Sequence, residues 1–347
     1  MKTVYLFLVC ALIAPLFAET VYTVPQGYTK VTIGASTASG STLTSISATL
    51  LNDVEFSGLV TIGAYTNNPT GPNSQTLTVS GASWTSDQWS DVPYLAYISV
   101  ADDLDNADGI APGEEAFYIQ ANTTTGGLTL ETTFDLSSRF PASTTLKIRR
   151  ANTLDSFFGE SSSNFAGADL VYIWNGTRWD SFQYIAGAPG YWASTTDGFT
   201  DVGPITIIRP DEGIFVSRTT NTDIVLTLFG EVPSAPQIST IRGASFIASR
   251  FPVDTTLIDT GIANASWNPA DLLYIWNQDA LPSAKWDSYQ FIAGAPGYWA
   301  STTDGFTPVD NTPITANSAV FVVRSQDVGG AEGGTTSKLP YTLNTSE

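Results

Sequence analysis

Apolar and polar positions along this chain alternate with a period of two far more often than they recur at the helical spacing. Short runs at 28–33, 75–79, 94–100, 116–120, 128–132, 170–174, 205–208, 214–218 and 223–229 are apolar continuously or at alternate positions, and turn-forming residues separate them. Successive side chains of an extended strand point to opposite faces, so this spacing predicts β-strands. Within 223–229, Ile224, Leu226 and Leu228 point one way while Val225, Thr227 and Phe229 point the other. Both sets are apolar enough to predict a strand inside a sandwich. No long stretch carries the 3.6-residue period, and only one or two short helical turns are expected near 151–158.

A tandem duplication organises the second half. Residues 185–200 recur unchanged at 292–307. Upstream, Ala168-Asp169-Leu170-Val171-Tyr172-Ile173-Trp174-Asn175 matches Ala270-Asp271-Leu272-Leu273-Tyr274-Ile275-Trp276-Asn277, and the segment from Trp179 to Tyr184 matches that from Trp286 to Phe291. Ser138-Arg139-Phe140-Pro141 with Thr144-Thr145-Leu146 matches Ser249-Arg250-Phe251-Pro252 with Thr255-Thr256-Leu257. Downstream, Phe215-Val216-Ser217-Arg218 matches Phe321-Val322-Val323-Arg324. Each unit spans about 90 to 100 residues, enough for one β-sandwich. The second copy carries residues 278–285 where the first has only Gly176-Thr177-Arg178, so a variable hairpin tip is expected between Tyr-Ile-Trp-Asn and Trp-Asp-Ser. A second tip is expected at 187–190 and again at 294–297.

The predicted organisation is a signal peptide at 1–18, an N-terminal β domain at 19–134, β repeat 1 at 135–235, β repeat 2 at 236–326, and a flexible tail rich in Gly, Ser and Thr at 327–347. The fold class expected is all-β: an N-terminal β domain followed by two tandem β-sandwich-like repeat domains.

Before the duplication, Val24-Pro25-Gln26-Gly27-Tyr28 leads into Val31-Thr32-Ile33. Phe56-Ser57-Gly58, Leu77-Thr78-Val79, Trp84-Thr85, Phe117-Tyr118-Ile119 and Asn122 follow. This order, with the later Ala-Asp-Leu-x-Tyr-Ile-Trp-Asn segments and Phe-Val-x-Arg endings, resembles an uncharacterised family of exported proteins from Verrucomicrobia-type bacteria. The resemblance covers most of the mature chain through short motifs. It implies export and a β-rich fold, and it transfers no functional residues. Some relatives end in a sorting tail with an apolar segment, which this chain lacks.

Export is also read from the N-terminus. Lys2 precedes an almost unbroken apolar run at 4–17, and Ala18 stands before Glu19, which predicts a secretory signal peptide cleaved after Ala18. Leu16 is large for its place, so the cut can shift by a few residues. The run is short of the roughly 20 residues a membrane span needs. The only cysteine and the only methionine, Cys10 and Met1, leave with this segment, and the chain has no His. That excludes disulfides, imidazole or thiolate metal sites, and Ser-His-Asp or Cys-His catalysis. With 14 Lys and Arg against 33 Asp and Glu the net charge is −19. Loss of Lys2 makes it −20, which disfavours nucleic acid and anionic lipid as partners. Polysaccharide or other surface proteins remain as expected partners, and a secreted or cell-envelope location is expected.

Two constellations carry candidate chemistry. Trp179, Trp286, Tyr191, Trp192, Tyr298 and Trp299 lie near the predicted tips, where rings can stack on sugars. Trp179 and Trp286, just after the variable tip, are the best placed for exposure. The competing account puts these rings in the core of a sandwich without disulfides, and on balance the aromatic and Asp richness reads as half core and half turn. The acidic loop after residue 101, with Asp103, Asp105, Asp108 and Glu114, suits calcium by its oxygen donors, although it lacks the helix-loop-helix calcium spacing. The repeated Asp169/Asp271, Asp180/Asp287 and Asp197/Asp304 read as turn residues. A non-enzymatic structural or binding protein is expected, with a carbohydrate-binding repeat protein as the alternative.

Overall fold

The computed structural model describes residues 25–37, 40–99, 113–241, 243–262, 267–280, 284–294 and 297–325, with the backbone of the strand Gly334–Ser337. The segment read as a signal peptide, 1–18, lies outside the described residues. The chain is almost all β, with one short α-helix. In chain order the strands begin β1 (Gln26–Ile33), β2 (Thr42–Ser47), β3 (Val54–Thr66), β4 (Ser74–Val79), β5 (Tyr94–Ser99), β6 (Glu114–Asn122), β7 (Gly127–Glu131) and β8 (Ser143–Arg150). There follow β9 (Asn152–Thr153), α1 (Leu154–Phe158), β10 (Leu170–Trp174), β11 (Trp179–Ile185), β12 (Tyr191–Ser194), β13 (Ile207–Ile208), β14 (Gly213–Arg218) and β15 (Ile224–Glu231). The last are β16 (Gln237–Thr240), β17 (Ala244–Ala248), β18 (Thr255–Thr256), β19 (Leu272–Asn277), β20 (Lys285–Ile292), β21 (Tyr298–Ser301), β22 (Pro313–Ile314), β23 (Ala319–Val323) and β24 (Gly334–Ser337).

Strands β3, β4, β7, β6, β5 and β8 are hydrogen-bonded in that circular order, so the sheet closes into a barrel and leaves no free edge among them. Its interior is filled by Val60, Leu77, Trp84, Trp89, Ile98, Phe117, Leu130 and Leu146 among others. Two five-stranded sheets hold the duplicated segments. One has the order β12-β11-β10-β14-β2 and the other β21-β20-β19-β23-β17. The inner face of the first packs on α1 and on the β1–β15 ribbon through Ile33, Ile46, Val171, Trp192, Ile214 and Leu226. The second has its own core around Leu257, Trp267, Leu273, Trp299 and Val322.

The strand groupings depart from the expected boundaries. β1 and β2 come from the region assigned to the N-terminal domain, yet they complete the first repeat unit. β8, inside the expected repeat 1, belongs to the barrel. Thr255–Thr256 pairs with Ile314 and Pro313, and the segment standing in that place in the first unit is Asn152–Thr153, paired with Ile208 and Ile207. Leu154 and Leu257 follow, both fully buried. The likeness between 144–146 and 255–257 is therefore one of sequence and not of position. The barrel sits in the chain between β2 and β9 of the first unit. The stretch read as a flexible tail contains β24, which pairs with β16. The strand read as internal to a sandwich, β15, is open on one side: Val225 and Phe229 are exposed there, and the Phe229 ring lies 6.2 Å from that of Tyr28. A two-stranded ribbon covers its core with one face only, so its second apolar face meets solvent.

The barrel is tied to the first unit by a buried ion pair. Arg149 on β8 grips Glu231 on β15 with two bonds of 2.6 and 2.8 Å, the geometry that suits guanidinium and carboxylate best.

Candidate functional site: the aromatic seam

In each five-stranded sheet the strand after Ala-Asp-Leu alternates. Val171 and Leu273 point to the cores, so Tyr172 and Trp174, and Tyr274 and Trp276, point to the opposite face. Trp179 pairs across the strands with Trp174, and Trp286 with Trp276, at ring separations of 5.2 and 5.3 Å. These two faces meet. Phe215 of the first unit stacks on Phe246 of the second at 4.6 Å, and Trp179 and Trp286 each contact Phe215 and Phe321.

The contact obeys a local two-fold. Because Phe215 and Phe321 occupy matching places, Ser45 opposite Phe215 corresponds to Phe246 opposite Phe321, and Leu43 corresponds to Ala244. The Trp174 indole N–H donates to the Ala244 carbonyl at 2.9 Å, and the Trp276 indole N–H donates to the Leu43 carbonyl at 2.8 Å. Likewise Ser47 N–H donates to the Asn317 carbonyl, and Ala248 N–H to the Asp211 carbonyl. Reciprocal bonds between equivalent residues define an isologous interface, here between two units of one chain. The indole bonds are what partly buried tryptophan requires, since its N–H must find an acceptor.

The seam does not close completely. Trp179, Tyr274, Trp286, Phe321 and Val323 line a cavity of about 320 Å³ at its rim, and Trp286 is 37% exposed. On the same face of the second sheet, Ser288 lies opposite Tyr274 and Gln290 opposite Leu272. The hairpin tips beside it are fixed by polar bonds: Asn175 to Asp180 at 2.9 Å and Asn277 to Asp287 at 2.7 Å, with the Asn175 side-chain oxygen accepting from the N–H groups of Thr177 and Arg178.

Of the six candidate rings, Trp192 and Trp299 are corrected to core residues, at 0% and 1% exposure. Their position on β12 and β21 faces inward, against Phe158 and Phe165 in one unit and Trp267 in the other. Tyr191 and Tyr298 begin the edge strands and are half-buried. Trp179 is half-buried in the seam, and only Trp286 exceeds a third exposure. The structure thus brings Trp179 and Trp286 into one cavity and leaves the other four rings apart. In the calcium loop, Asp103, Asp105 and Asp108 lie outside the described residues. Glu114 is corrected to a structural residue, buried and paired with Lys147 at 2.5 Å. Asp169 and Asp271 accept backbone N–H groups of Ala166 and Asn268, as turn residues do, but each also holds a buried arginine, Arg218 at 2.5 Å and Arg324 at 2.7 Å.

The residues that sequence reading passed over are Phe199 and Phe306. Both are nearly half exposed, and both have φ of +63° directly after a glycine that is also left-handed, φ +83°. A bulky residue in that conformation is strained. Their signal was present in the unchanged 185–200 and 292–307 runs, which include exposed turns and not only core strand. Comparison of the chain with protein-family models and with curated proteins gives no match to either.

Proposed function

We propose that the protein is exported and acts as a non-enzymatic binding protein, with its ligand held at the rim of the aromatic seam. The observation that carries this reading is the open cavity lined by Trp179, Tyr274, Trp286, Phe321 and Val323. Aromatic surface gathered around an open cavity is characteristic of contact sites.

A carbohydrate is the ligand class this surface favours. The rings offer flat apolar faces, and Gln290, beyond the cavity lining on the same sheet face, carries an amide for sugar hydroxyls, while the Ser288 hydroxyl is taken by Thr302. Affinity electrophoresis against a panel of neutral polysaccharides, supported by a glycan array, tests it. Retardation is expected with at least one polymer and is expected to weaken about tenfold in Trp286→Ala and in Tyr274→Ala, with thermal melts showing both variants folded. Retardation that persists unchanged in both variants rules the cavity out as the site.

A further inference from the structure

A second and larger cleft, about 470 Å³, lies where the barrel, the first repeat unit and β16–β17 meet. Glu131 reaches it from the barrel, Trp174 from the first unit and Ser239 from β16, and the strap between β13 and β14 contributes Arg209, Asp211 and Glu212. Arg209, the cation lining the cleft, is already committed, while Arg250, which acts on Asp211, bonds the neutral Gln237 amide and keeps one buried guanidinium nitrogen unpartnered. Arg209 holds Asp211 through two bonds of 2.9 and 3.0 Å, donates to the Ala116 carbonyl at 2.8 Å, and covers the Tyr118 ring at 4.8 Å. Glu115, also in the cleft, is taken by Arg139 and Thr240.

Two carboxylates are left over. Glu212 has only a 3.4 Å contact with the guanidinium that Asp211 already occupies, and Glu131 has no ion-pair partner among the described residues. An independent observation concerns Ser239: it is 2% exposed, lines the cleft, and its hydroxyl has no hydrogen-bond partner. Such a group is costly unless a partner arrives.

We propose that this cleft binds an organic cation, a primary ammonium on an apolar stem, with Glu131, Glu212 and Ser239 accepting its N–H groups and Trp174 flanking the stem. An ammonium has three donors and no acceptor, which matches two carboxylates with spare acceptor sites and an unpartnered hydroxyl. Aromatic surface beside carboxylates suits a cation with a hydrocarbon body. The electrostatics agree. Desolvation raises the Glu212 carboxyl, to about 7 if it were fully enclosed and by less because its side chain keeps 37% of its surface exposed; Arg209 opposes the rise and Asp211 adds to it. The other groups facing the strap are Tyr118 from the barrel and Arg250, which acts on Asp211. An arriving ammonium supplies a closer counter-charge than the 3.4 Å contact with the shared Arg209 gives Glu212. Its affinity therefore rises as pH climbs through the raised value and Glu212 ionises.

The test is calorimetric titration of the whole protein with n-butylammonium chloride, with n-butanol and tetramethylammonium as controls. Expected are one saturable site for butylammonium at pH 8, binding about tenfold weaker at pH 5, and little response to either control. Glu212→Gln is expected to remove the pH dependence, and Glu131→Gln to weaken binding at every pH. N-acetyl-lysine amide, titrated alongside, separates a protein side chain from a free amine as the source of the ammonium: equal affinity assigns the former, weaker affinity the latter. No saturable binding, or binding unaltered in both variants, overturns the proposal. None of the residues lining the aromatic cavity is altered, so this result and that of the polysaccharide experiment are separable.

Discussion

Asp169 and Asp271 show how one residue type serves two needs at once. Each caps a turn and neutralises an arginine buried at the end of Phe-Val-x-Arg. Breaking one partner of such a pair leaves a buried charge, so Asp169→Asn is expected to cost about 3–5 kcal/mol in urea unfolding. Burial by itself would raise the Asp271 carboxyl; the N–H groups of Asn268 and Ser325, the Ser325 hydroxyl and Arg324 outweigh it and hold the group below the usual carboxylate range. A depressed acid contributes stability that is present above its unfolded pKa of about 4 and lost as pH falls through its folded value. Asp271→Asn is thus expected to flatten the acid limb of the stability–pH curve. At Phe199 the backbone is left-handed and the ring nearly half exposed. Phe199→Gly is expected to leave stability within about 1 kcal/mol of the native protein or to raise it, because relief of strain offsets the lost ring. A larger loss in thermal melts would mean that the ring packs.

Among elements, the strands with clear alternation were legible from residue order, as was the short helix after β9. The hairpins were legible too, since inserted residues mark where chain can loop without disturbing a sheet. The face each tryptophan would occupy was not. Trp174 and Trp192 stand in similar apolar runs, yet one lines the seam and the other is core, because strand parity is set by the partner strand. The seam gives two predictions. Trp174→Phe removes the bond to the Ala244 carbonyl and is expected to cost about 1–3 kcal/mol, with Trp276→Phe behaving alike through the Leu43 carbonyl. At Gly213 the units approach so closely that a Cβ would meet Ala319 and come within 2.8 Å of the Phe246 ring. Gly213→Ala is expected to destabilise by about 1–3 kcal/mol, and proteolysis between the units should quicken with it.

For the whole molecule, the junction at Arg209, Asp211 and Glu212 adds a neutral-pH contribution to the acid limb that Asp271 shapes. The Glu212 carboxyl is raised, so its protonated form is favoured by folding, and the associated stability is present below its unfolded pKa and lost as pH rises through its folded value. Glu212→Gln is expected to match the native protein near pH 4 and to exceed it in melting temperature at pH 8; equal melting temperatures at both pH values would remove the junction from the account.

Composition and periodicity by themselves determined that this chain is all β, that it carries a duplicated unit, and that imidazole chemistry is closed to it, with Cys10 its one thiol. Those properties follow from residue identity and near-neighbour spacing. Tertiary structure alone decided that β1 and β2 complete the first unit around the barrel, that the two units face each other across a two-fold, and which tryptophans reach solvent. Pairing between strands more than a hundred residues apart, such as β2 with β14, depends on which buried faces complement each other in space. No local pattern encodes that complementarity, so neither the seam nor the cleft has a signature along the chain.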